Sequence, residues 1–298
     1  MNLVGIHNFP LSWFSGLLTL PPAMLSKLKS TLFAAIGGVI IVICAGLLGG
    51  CSTSDARHGA TTVRVMTYNI HHGEGLDGKV DLPRIAQLIK EQGADLVALQ
   101  EVDKGTERTQ RRDFPAELAA LTGLTCVFSN NYHYQGGEYG NAVLTRFPIV
   151  RATNSHFKMR SATEARGIQQ LVLKVHGREL AFLNTHLDAV GPGDTERWSE
   201  VGEIETLLQP YRGLPLLLCG DFNATPESRV ARQLNEWLDD TWALVGRGDG
   251  ATVPAEKPRR RIDYLWISKD KSLVPLKAWV PQSDASDHLP VVAEFELR

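Results

Sequence analysis

The sequence carries almost no net charge. Its 298 residues include 31 Lys and Arg against 33 Asp and Glu, which gives a formal charge of -2 at pH 7. Proteins whose nucleic-acid affinity is dominated by phosphate contacts need a clear excess of basic residues. The chain lacks such a basic footprint, so its partners have to be inferred from a specific site.

Cysteine is also scarce. The four cysteines are Cys44, Cys51, Cys126 and Cys219, and none belongs to a paired motif of the kind that binds zinc. Cys126 and Cys219 lie in apolar runs and are typical of small buried side chains. We therefore expect no disulfide framework.

Internal repeats and low-complexity linkers are absent after residue 63. Apolar residues make up 43% of the sequence, which is enough for a segment of this length to bury a substantial core. The economical interpretation is one globular domain over residues 63–298.

The first fifty residues differ in composition from the rest. Lys27 and Lys29 precede the apolar run "TLFAAIGGVIIVICAGLLGG", and this order is typical of an export signal. The ending "LLGGC" resembles a bacterial lipoprotein box, which predicts cleavage before Cys51 and lipid attachment to its thiol. An uncleaved apolar helix is the alternative, because about twenty apolar residues also span a bilayer.

Residues 1–50 are therefore interpreted as a signal segment and residues 51–62 as a polar linker. A start at Met24 gives a more compact basic region than a start at Met1. Both interpretations predict a membrane-anchored protein of the bacterial cell envelope whose domain lies outside the cytoplasm.

From Val63 onward, apolar runs rich in branched residues alternate with amphipathic stretches. "LPRIAQLIKEQG" predicts a helix that starts near Pro83 and stops at Gly93. Helices are also predicted in "FPAELAALTG", "TERWSEVGEIETLLQ" and "ESRVARQLNEWL". Strands are predicted in "VRVMTYN", "ADLVALQE", "TCVFS", "GNAVLTR", "IVRATNSHFK", "IQQLVLKV", "ELAFLNTHL", "LPLLLCG", "RIDYLWIS" and "LPVVAEFEL". The pattern predicts helices that cover packed sheets.

Polar residues interrupt the pattern where strands end or begin. They are Asn69, Glu101, Asn141, His186, Asp188, Asp221, Asn223, Asp263, Asp287 and His288. Any one of them alone is more simply a turn residue, and "GDFN" before a proline could be an Asx turn. Together they predict a site at one edge of the sheets. Several carboxylates in one place would repel each other unless a cation or a set of hydrogen bonds held them, and oxygen ligands suit Mg²⁺ or Mn²⁺ better than Zn²⁺.

The motifs "TYNI", "LQEV", "GNAVLTRFPI", "NTHLD", "GDFNATP", "RIDYLWIS" and "SDHLP" resemble, in the same order, those of the endonuclease/exonuclease/phosphatase superfamily. The resemblance extends over about residues 63–298. It implies an α/β fold of the DNase I type, a four-layered α/β/β/α sandwich with two packed mixed β-sheets flanked by helices. It also implies metal-dependent hydrolysis of phosphoesters.

The resemblance further implies roles for individual residues. Glu101 matches the acid that binds the metal ion, Asn69 beside it is assigned to the same metal site, and Asp287 resembles a second acid on the metal side. Asp221 and Asn223 match the pair that orients or deprotonates the attacking water. Asp263 and His288 resemble the family's Asp–His pair, and His186 resembles a histidine that faces the scissile phosphate.

Three further residues are predicted to contact the substrate. Arg166 heads a strand and could bind a phosphate in bidentate fashion, with a surface salt bridge as the alternative. Tyr139 and Asn141 flank the predicted site. Alternation along "GDFN" predicts that Asp221 and Asn223 share one face while Phe222 points into the core.

These observations predict a Mg²⁺- or Mn²⁺-dependent, membrane-tethered phosphodiesterase that we expect to be a monomer. Its substrate is a lipid, head-group or other envelope phosphodiester on one interpretation. Nucleic acid, cleaved as by a DNase I-like endonuclease, is the alternative substrate. A catalytically inactive tethered binding module is a third interpretation, against which stands the presence of Glu101, Asp221 and His288.

Overall fold

The computed structural model describes residues 61–189 and 194–298. The predicted signal segment and nearly all of the predicted linker, including Cys51, lie outside these residues and stay predictions. No helix in the described part of the chain has the length and apolarity needed to cross a membrane. Cys126 and Cys219, the cysteines in this part, are both free thiols.

The first of two sheets has six strands in the spatial order β11-β12-β1-β2-β4-β3. In chain order they are β1 (Thr61–Asn69), β2 (Leu96–Lys104), β3 (Thr125–Tyr134), β4 (Gly137–Thr145), β11 (Leu273–Trp279) and β12 (Val291–Leu297). Strands β1 and β2 run parallel, and the other neighbours are antiparallel. The sheet is therefore mixed.

The second sheet also has six strands, in the order β5-β6-β7-β8-β10-β9. They are β5 (Ile149–His156), β6 (Gly167–Val175), β7 (Arg178–His186), β8 (Leu216–Asp221), β9 (Leu238–Asp240) and β10 (Asp263–Ser268). Here β7 and β8 form the parallel pair, and the remaining pairs are antiparallel.

Helices in the described residues are α1 (Leu82–Gln92), α2 (Phe114–Thr122), α3 (Thr195–Leu208), α4 (Arg229–Trp237) and the short α5 (Thr241–Val245). Single-turn 3₁₀ segments lie at His71–Gly73 and Gln209–Tyr211. Gly93, the predicted stop of α1, takes the left-handed conformation (φ 61°), and at the other end the Asp81 side chain accepts from the N–H of Arg84. Such caps satisfy backbone groups that a helix end leaves unpaired.

Three apolar clusters lie between the four layers of the sandwich. One cluster draws on the inner faces of both sheets, for example Val65 from β1 and Phe182 from β7. A second packs the outer face of the first sheet against α1 and α2, and a third packs the outer face of the second sheet against α3 and α4. The predicted α/β/β/α sandwich is confirmed.

The parallel strand pair of each sheet ends at the same edge of the sandwich. Helix α1 connects β1 to β2, and α3 connects β7 to β8. In register, Asn69 lies opposite Gln100 at the end of the first pair, and His186 lies opposite Asp221 at the end of the second. Because the carboxyl ends of parallel strands meet at one edge, polar side chains from four strands gather there.

A buried amide network joins the two sheets directly behind this edge. The Asn184 side chain of β7 donates to the carbonyls of Leu99 (2.9 Å) and Ala142 (3.0 Å) in the first sheet. In return it accepts from Gln100 Nε2 at 2.8 Å, and Gln100 also donates to Thr67 Oγ1. Both side chains are completely buried. Neither was predicted as a site residue, since a lone amide inside a strand has no distinctive sequence pattern.

The sequence pattern also missed short elements. Strand β9, helix α5 and edge strand β11 were not predicted. The first two have only three and five residues, too few to show a period, and β11 contains Pro275 at a register shift. Proline and a bulge are features of sheet edges that blur alternation.

Close approach of β7 and β8 beside the site depends on Gly220, whose φ is +148°. A Cβ at this position would lie 2.0 Å from the carbonyl oxygen of Thr185. We expect Gly220→Ala to lower the free energy of unfolding by about 2–4 kcal/mol, from the clash and from the strained backbone. Thermal unfolding should show a melting temperature about 5–10 °C lower.

Gly202→Ala is the matched control. Gly202 lies inside α3, and nothing lies within 4 Å of an added Cβ. This change should raise the free energy of unfolding by up to about 1 kcal/mol. Equal stability of the two variants would show that the β7–β8 approach does not require glycine.

Candidate active site

Asn69 links carboxylates from the two sheets. Its Nδ2 donates to Glu101 Oε1 and to Asp221 Oδ2, each at 3.0 Å, while its Oδ1 accepts from the N–H of His71. As placed, Asn69 orients two acids that would otherwise repel each other. Its predicted place among the metal-ligating residues stays a prediction.

Glu101 reaches this position through a β-bulge. The β2–β4 register shifts between Leu99 and Val102, and Glu101 itself has a left-handed φ of 59°. Bulges redirect side chains, and such strained backbone is common at functional sites. Strand alternation alone could not predict this direction of the side chain.

The structure of the "GDFN" segment agrees with the prediction for Phe222 and differs from it for Asn223. Phe222 packs into the core beside Tyr264 and Trp266, as predicted. However, β8 ends at Asp221, and Asn223 has a left-handed φ of 48° with its N–H donating to Asp221 Oδ1 (2.9 Å). An Asx-type turn, rather than strand alternation, therefore keeps Asp221 and Asn223 together.

Asp263 and His288 form a buried pair. His288 Nδ1 lies 2.9 Å from Asp263 Oδ2, which also accepts from Thr252 Oγ1 at 2.5 Å. His288 Nε2 then faces Asp221 Oδ2 at 3.8 Å. Burial alone lowers the pKa of His288, but Asp263 and Asp221 outweigh it and raise that pKa to about 10. His288 is thus an imidazolium at neutral pH.

Asp221 is the acid on which these contacts converge. Burial and the neighbouring Asp263 carboxylate raise its pKa to about 7, and His288 offsets part of that rise. A carboxylate with a pKa near neutrality can accept a proton from water at physiological pH.

His186 faces Asp221 from the other side. Its Nε2 lies 3.6 Å from Asp221 Oδ2 and 3.1 Å from Asn223 Nδ2. Its Nδ1 lies 3.2 Å from Arg166 Nη1. Burial and then the charges of Arg166 and His288 lower the pKa of His186 well below its usual value.

The residues predicted to contact substrate are more buried than expected. Arg166 is 4% exposed and pairs through Nη2 with Glu164 (2.8 Å). Tyr139 is 6% exposed, and burial followed by Glu101 raises the pKa of its phenol well above the usual value. Asn141 is 1% exposed and makes long contacts from Nδ2 to the carbonyls of Gly167 and Asn184. As placed, these three residues form the wall of the site.

Asp287 lies at the rim. Its side chain is about half exposed, and its Oδ1 is 3.9 Å from His71 Nδ1. Ser286, the preceding residue, donates to the backbone carbonyl of Asn69 at 2.8 Å and so fastens the His288 segment to β1.

The charges of the site favour a divalent cation. Glu101, Asp221, Asp263 and Asp287 supply four carboxylates, while His288 contacts Asp221 and Asp263, and Arg166 contacts His186. Ligand atoms of Asp221, Asp263 and His288 lie within 4.8 Å of one another. Asp263 Oδ1 is buried without a hydrogen-bond partner among the described residues. Carboxylate oxygens in excess fit a hard cation, so the carboxylates of this cluster can hold a metal ion.

Comparisons with known proteins bear on the family and the fold of the chain. The model of the Endonuclease/Exonuclease/phosphatase family matches residues 66–288. The YbhP protein of Escherichia coli (strain K12) is 26% identical over 253 residues, which cover 78% of this chain and 96% of YbhP. A 5'-tyrosyl-DNA phosphodiesterase of Caenorhabditis elegans is 26% identical over 216 residues, 66% of this chain and 55% of that enzyme.

A solved structure has the same fold. An endonuclease/exonuclease/phosphatase from Beutenbergia cavernae DSM 12333 superimposes with a TM-score of 0.66 at 24% identity, covering 80% of this chain and 72% of that one. At this level of identity the similarity shows the fold alone.

The contact between Asp263 and His288 predicts how the pKa of His288 changes when Asp263 is substituted. Asp263→Asn removes a carboxylate that raises the pKa of His288, so that pKa should fall by about 1–3 units. His288 would then lose its proton at lower pH than in the wild type. An NMR titration of the His288 ring in the metal-free protein measures this change.

Asp239→Asn is the control, because Asp239 pairs with Lys269 at the β9 end of the sheet and should leave the His288 titration unchanged. An unchanged titration in Asp263→Asn as well would contradict the pairing.

Proposed function

The chain belongs to the endonuclease/exonuclease/phosphatase family, and on this basis we propose that it is a Mg²⁺-dependent phosphodiesterase, with Mn²⁺ as the alternative ion. The observation that carries the proposal is the convergence on Asp221. Asn69, Asn223, His186 and His288, which come from both sheets, all approach its carboxylate within 3.8 Å.

Asp221 and Asn223 are suited to the attacking water. Asp221 can take the water proton because its pKa is raised toward neutrality, and the amide of Asn223 is fixed by donating to the Leu187 carbonyl (3.1 Å). Fixed groups of this kind replace the entropy loss of assembling reactants in solution. Together they align water for attack on phosphorus.

The two histidines are suited to the phosphoryl oxygens. His288 carries a positive charge that Asp263 holds in place, and such preorganised charge stabilises the negative charge that develops in the transition state. A divalent ion bound by Glu101, with Asp287 nearby, would supply further positive charge for the same oxygens. His186 lies on the opposite side of Asp221, with Nε2 3.6 Å from Oδ2.

For the substrate we favour a non-nucleic phosphodiester of the cell envelope. The charge of -2 gives no basic surface for duplex binding. A local exception is the loop that precedes Asp263, where Lys257, Arg259 and Arg260 have no acidic partner among the described residues. These three cations suit an anionic substituent near the scissile phosphate.

Nucleic acid is the second candidate substrate. It is favoured by the relationship to the nematode 5'-tyrosyl-DNA phosphodiesterase, although the chain spans only 55% of that enzyme. The third interpretation, an inactive binding module, is disfavoured because Glu101, Asp221 and His288 are all present and close together.

The test of function is hydrolysis of bis-p-nitrophenyl phosphate with and without Mg²⁺. We expect Mg²⁺-dependent release, and a loss of turnover of at least about a hundredfold in Asp221→Asn, because the general base is removed. The melting temperature of Asp221→Asn should be unchanged or higher, since the substitution removes a like charge next to Asp263.

Phospholipid head-group release and plasmid nicking, measured on the same preparations, separate the two classes of substrate. Activity on plasmid alone would reject the envelope substrate in favour of the nuclease. No activity on any of the three substrates with metal supplied would overturn the enzyme proposal.

We also propose that the protein is a lipoprotein of the cell envelope, anchored through Cys51 and acting outside the cytoplasm as a monomer. The "LLGGC" segment supports this proposal. Cys51→Ser should abolish lipid labelling and move the protein from the membrane fraction, measured by fractionation and radiolabelled palmitate. Membrane retention without label would favour the uncleaved helix.

A further inference from the structure

The hairpin of β3 and β4 carries three tyrosines beside the site, and the proposed mechanism uses none of them. They are Tyr132 and Tyr134 on β3 and Tyr139 on β4. We propose that these tyrosines and Arg108, together called the tyrosine subsite, bind an uncharged sugar or polyol ring that is attached to the scissile phosphate. The subsite rests on the function proposed above, because it names a substituent that the same site accepts.

The hairpin begins at the acid predicted to bind the metal ion. Beyond Glu101, β2 continues to pair with β4, where Asp103 lies opposite Tyr139. Tyr139 in turn lies opposite Tyr132 of β3. The Tyr139 phenol is close to the Glu101 carboxylate and to Arg166. A group that binds along the tyrosines is therefore next to a phosphate held at Glu101.

The three rings form a row. Residues two apart on a strand share a face, so Tyr132 and Tyr134 point the same way, and their ring centroids are 5.9 Å apart. The Tyr132 ring is also 5.3 Å from that of Tyr139. Tyr139 is almost completely buried, whereas the other two are partly exposed. The row thus leads from the wall of the site to solvent.

Arg108 holds the rings from the side. Its Cζ lies 4.9 Å from the ring centroid of Tyr134 and 5.4 Å from that of Tyr139. Two hydrogen bonds of 2.7 Å fasten the guanidinium to Asp103, which is completely buried. The rings are therefore in place before a substrate arrives, which lowers the entropy cost of binding.

The tip of the hairpin is fastened by the neighbouring loop. Arg111 Nη1 donates to the carbonyls of Gln135 (3.2 Å) and Gly136 (2.9 Å). A Cβ on Gly137 would lie 2.4 Å from the carbonyl carbon of Gly105, so the strand and the loop are in close contact. The tyrosines therefore project from a supported element of the fold, as a preformed binding surface requires.

The charged groups beside the row are paired. The ion pairs are Arg108–Asp103, Arg166–Glu164 and Lys104–Glu138. An ionic substituent would lose hydration here without gaining an unpaired partner, which is unfavourable. The tyrosine subsite therefore favours an uncharged group.

The opposite flank of the site differs in charge. In the sandwich β4 faces β7 and β1 faces β10, with β8 between β7 and β10. The hairpin and the loop before β10 thus lie on opposite sides of Asp221. That loop carries Lys257, Arg259 and Arg260, for which the described part of the chain shows no acidic partner. One neutral and one cationic side suit a phosphodiester with two unlike substituents.

The chemistry of the row favours a sugar or polyol ring over a flat aromatic one. Base stacking uses an aromatic face, but Tyr132 is inclined by 58° to Tyr134 and by 64° to Tyr139. Polar groups accompany the rings: the Glu164 carboxylate lies beside the Tyr132 phenol, and Gln135 Nε2 donates to Tyr134 Oη at 3.4 Å. The C–H groups of a polyol ring pack on aromatic faces, and its hydroxyls bond to carboxylates, amides and phenols.

Hydrolysis of p-nitrophenyl phosphodiesters whose second substituent is methyl, phenyl or the 6-oxygen of glucose tests the subsite. We expect a kcat/KM for the glucose ester at least about tenfold above that for the methyl ester, because the ring gains contacts that a methyl group cannot make. Tyr132→Ala should reduce this preference to about twofold or less while changing the methyl ester little. His133→Ala is the control, since His133 is exposed on the opposite face of β3, and it should retain the preference.

Equal kcat/KM values for the glucose and methyl esters in the wild type would overturn the proposal. A preference for the phenyl ester over the glucose ester that Tyr132→Ala removes would also overturn it, because the subsite would then bind flat aromatic rings.

NMR of the tyrosine rings in the full chain provides a readout without turnover. The signals are assigned through Tyr132→Phe and Tyr134→Phe and followed during titration with glucose 6-phosphate or methyl phosphate. Glucose 6-phosphate should shift both signals, and methyl phosphate should shift neither. The absence of shifts, or equal shifts with the two phosphates, would contradict the subsite. A wild type that hydrolyses no phosphodiester would instead reject the proposed function, while the shifts still decide whether the ring binds.

Discussion

The site depends on the hydrogen bonds that hold the two sheets at a fixed separation behind it. Asn184 and Gln100 exchange side-chain hydrogen bonds across the interface and also bond to the opposite backbone. Apolar packing between sheets is non-directional, so it could not by itself set their relative position to a fraction of an ångström. Buried amides whose partners lie on the opposite sheet add that directionality.

Asn69 extends the same principle into the site. It spans Glu101 of the first sheet and Asp221 of the second, so a shift of one sheet against the other would break the contact between the two acids. The relative position of the two sheets therefore determines the geometry of the site. Helices α1 and α3 contribute indirectly, because each lets a parallel pair form and brings two strand ends to the same edge.

Electrostatic repulsion is the second constraint, and it acts against the hydrogen bonds that hold the two sheets together at the site. The sandwich brings buried carboxylates together, and the raised pKa of Asp221 shows the resulting energetic cost. The imidazolium of His288 relieves part of that cost, and the remaining negative charge is what a divalent ion would neutralise. The clustered carboxylates lower the stability of the fold, and the same negative charge suits the site to a divalent ion. Such a trade-off between activity and stability is common.

Much of the fold and part of the site were predictable from the sequence, and the physical reasons for this also explain what could not be predicted. Alternation and helical periodicity predicted the layers, because burial on one face dictates the pattern. Polar residues such as Asn69 and Asp221 were predicted to converge because several of them interrupt the apolar pattern where strands end. The left-handed backbone of His71, His72, Glu101 and Asn223 was not, since tertiary contacts hold these non-glycine residues there. The partner of Arg166 was equally hidden, because it depends on how the segment before β6 meets β7.

The loop before β10 shows why the family determines the reaction more firmly than the substrate. Thr252 in this loop donates to Asp263, and the N–H of Ala255 donates to the carbonyl of Asp287, so one part of the loop is tied to Asp263 and to the residue that precedes His288. Arg259 and Arg260 in the same loop are exposed and are free to differ without disturbing those contacts. Substrate preference can therefore change through side chains that face solvent while the fixed half of the loop preserves the chemistry. On the proposed function, the exposed cations of the loop suit an anionic substituent of the substrate, and the acidic centre suits a metal ion.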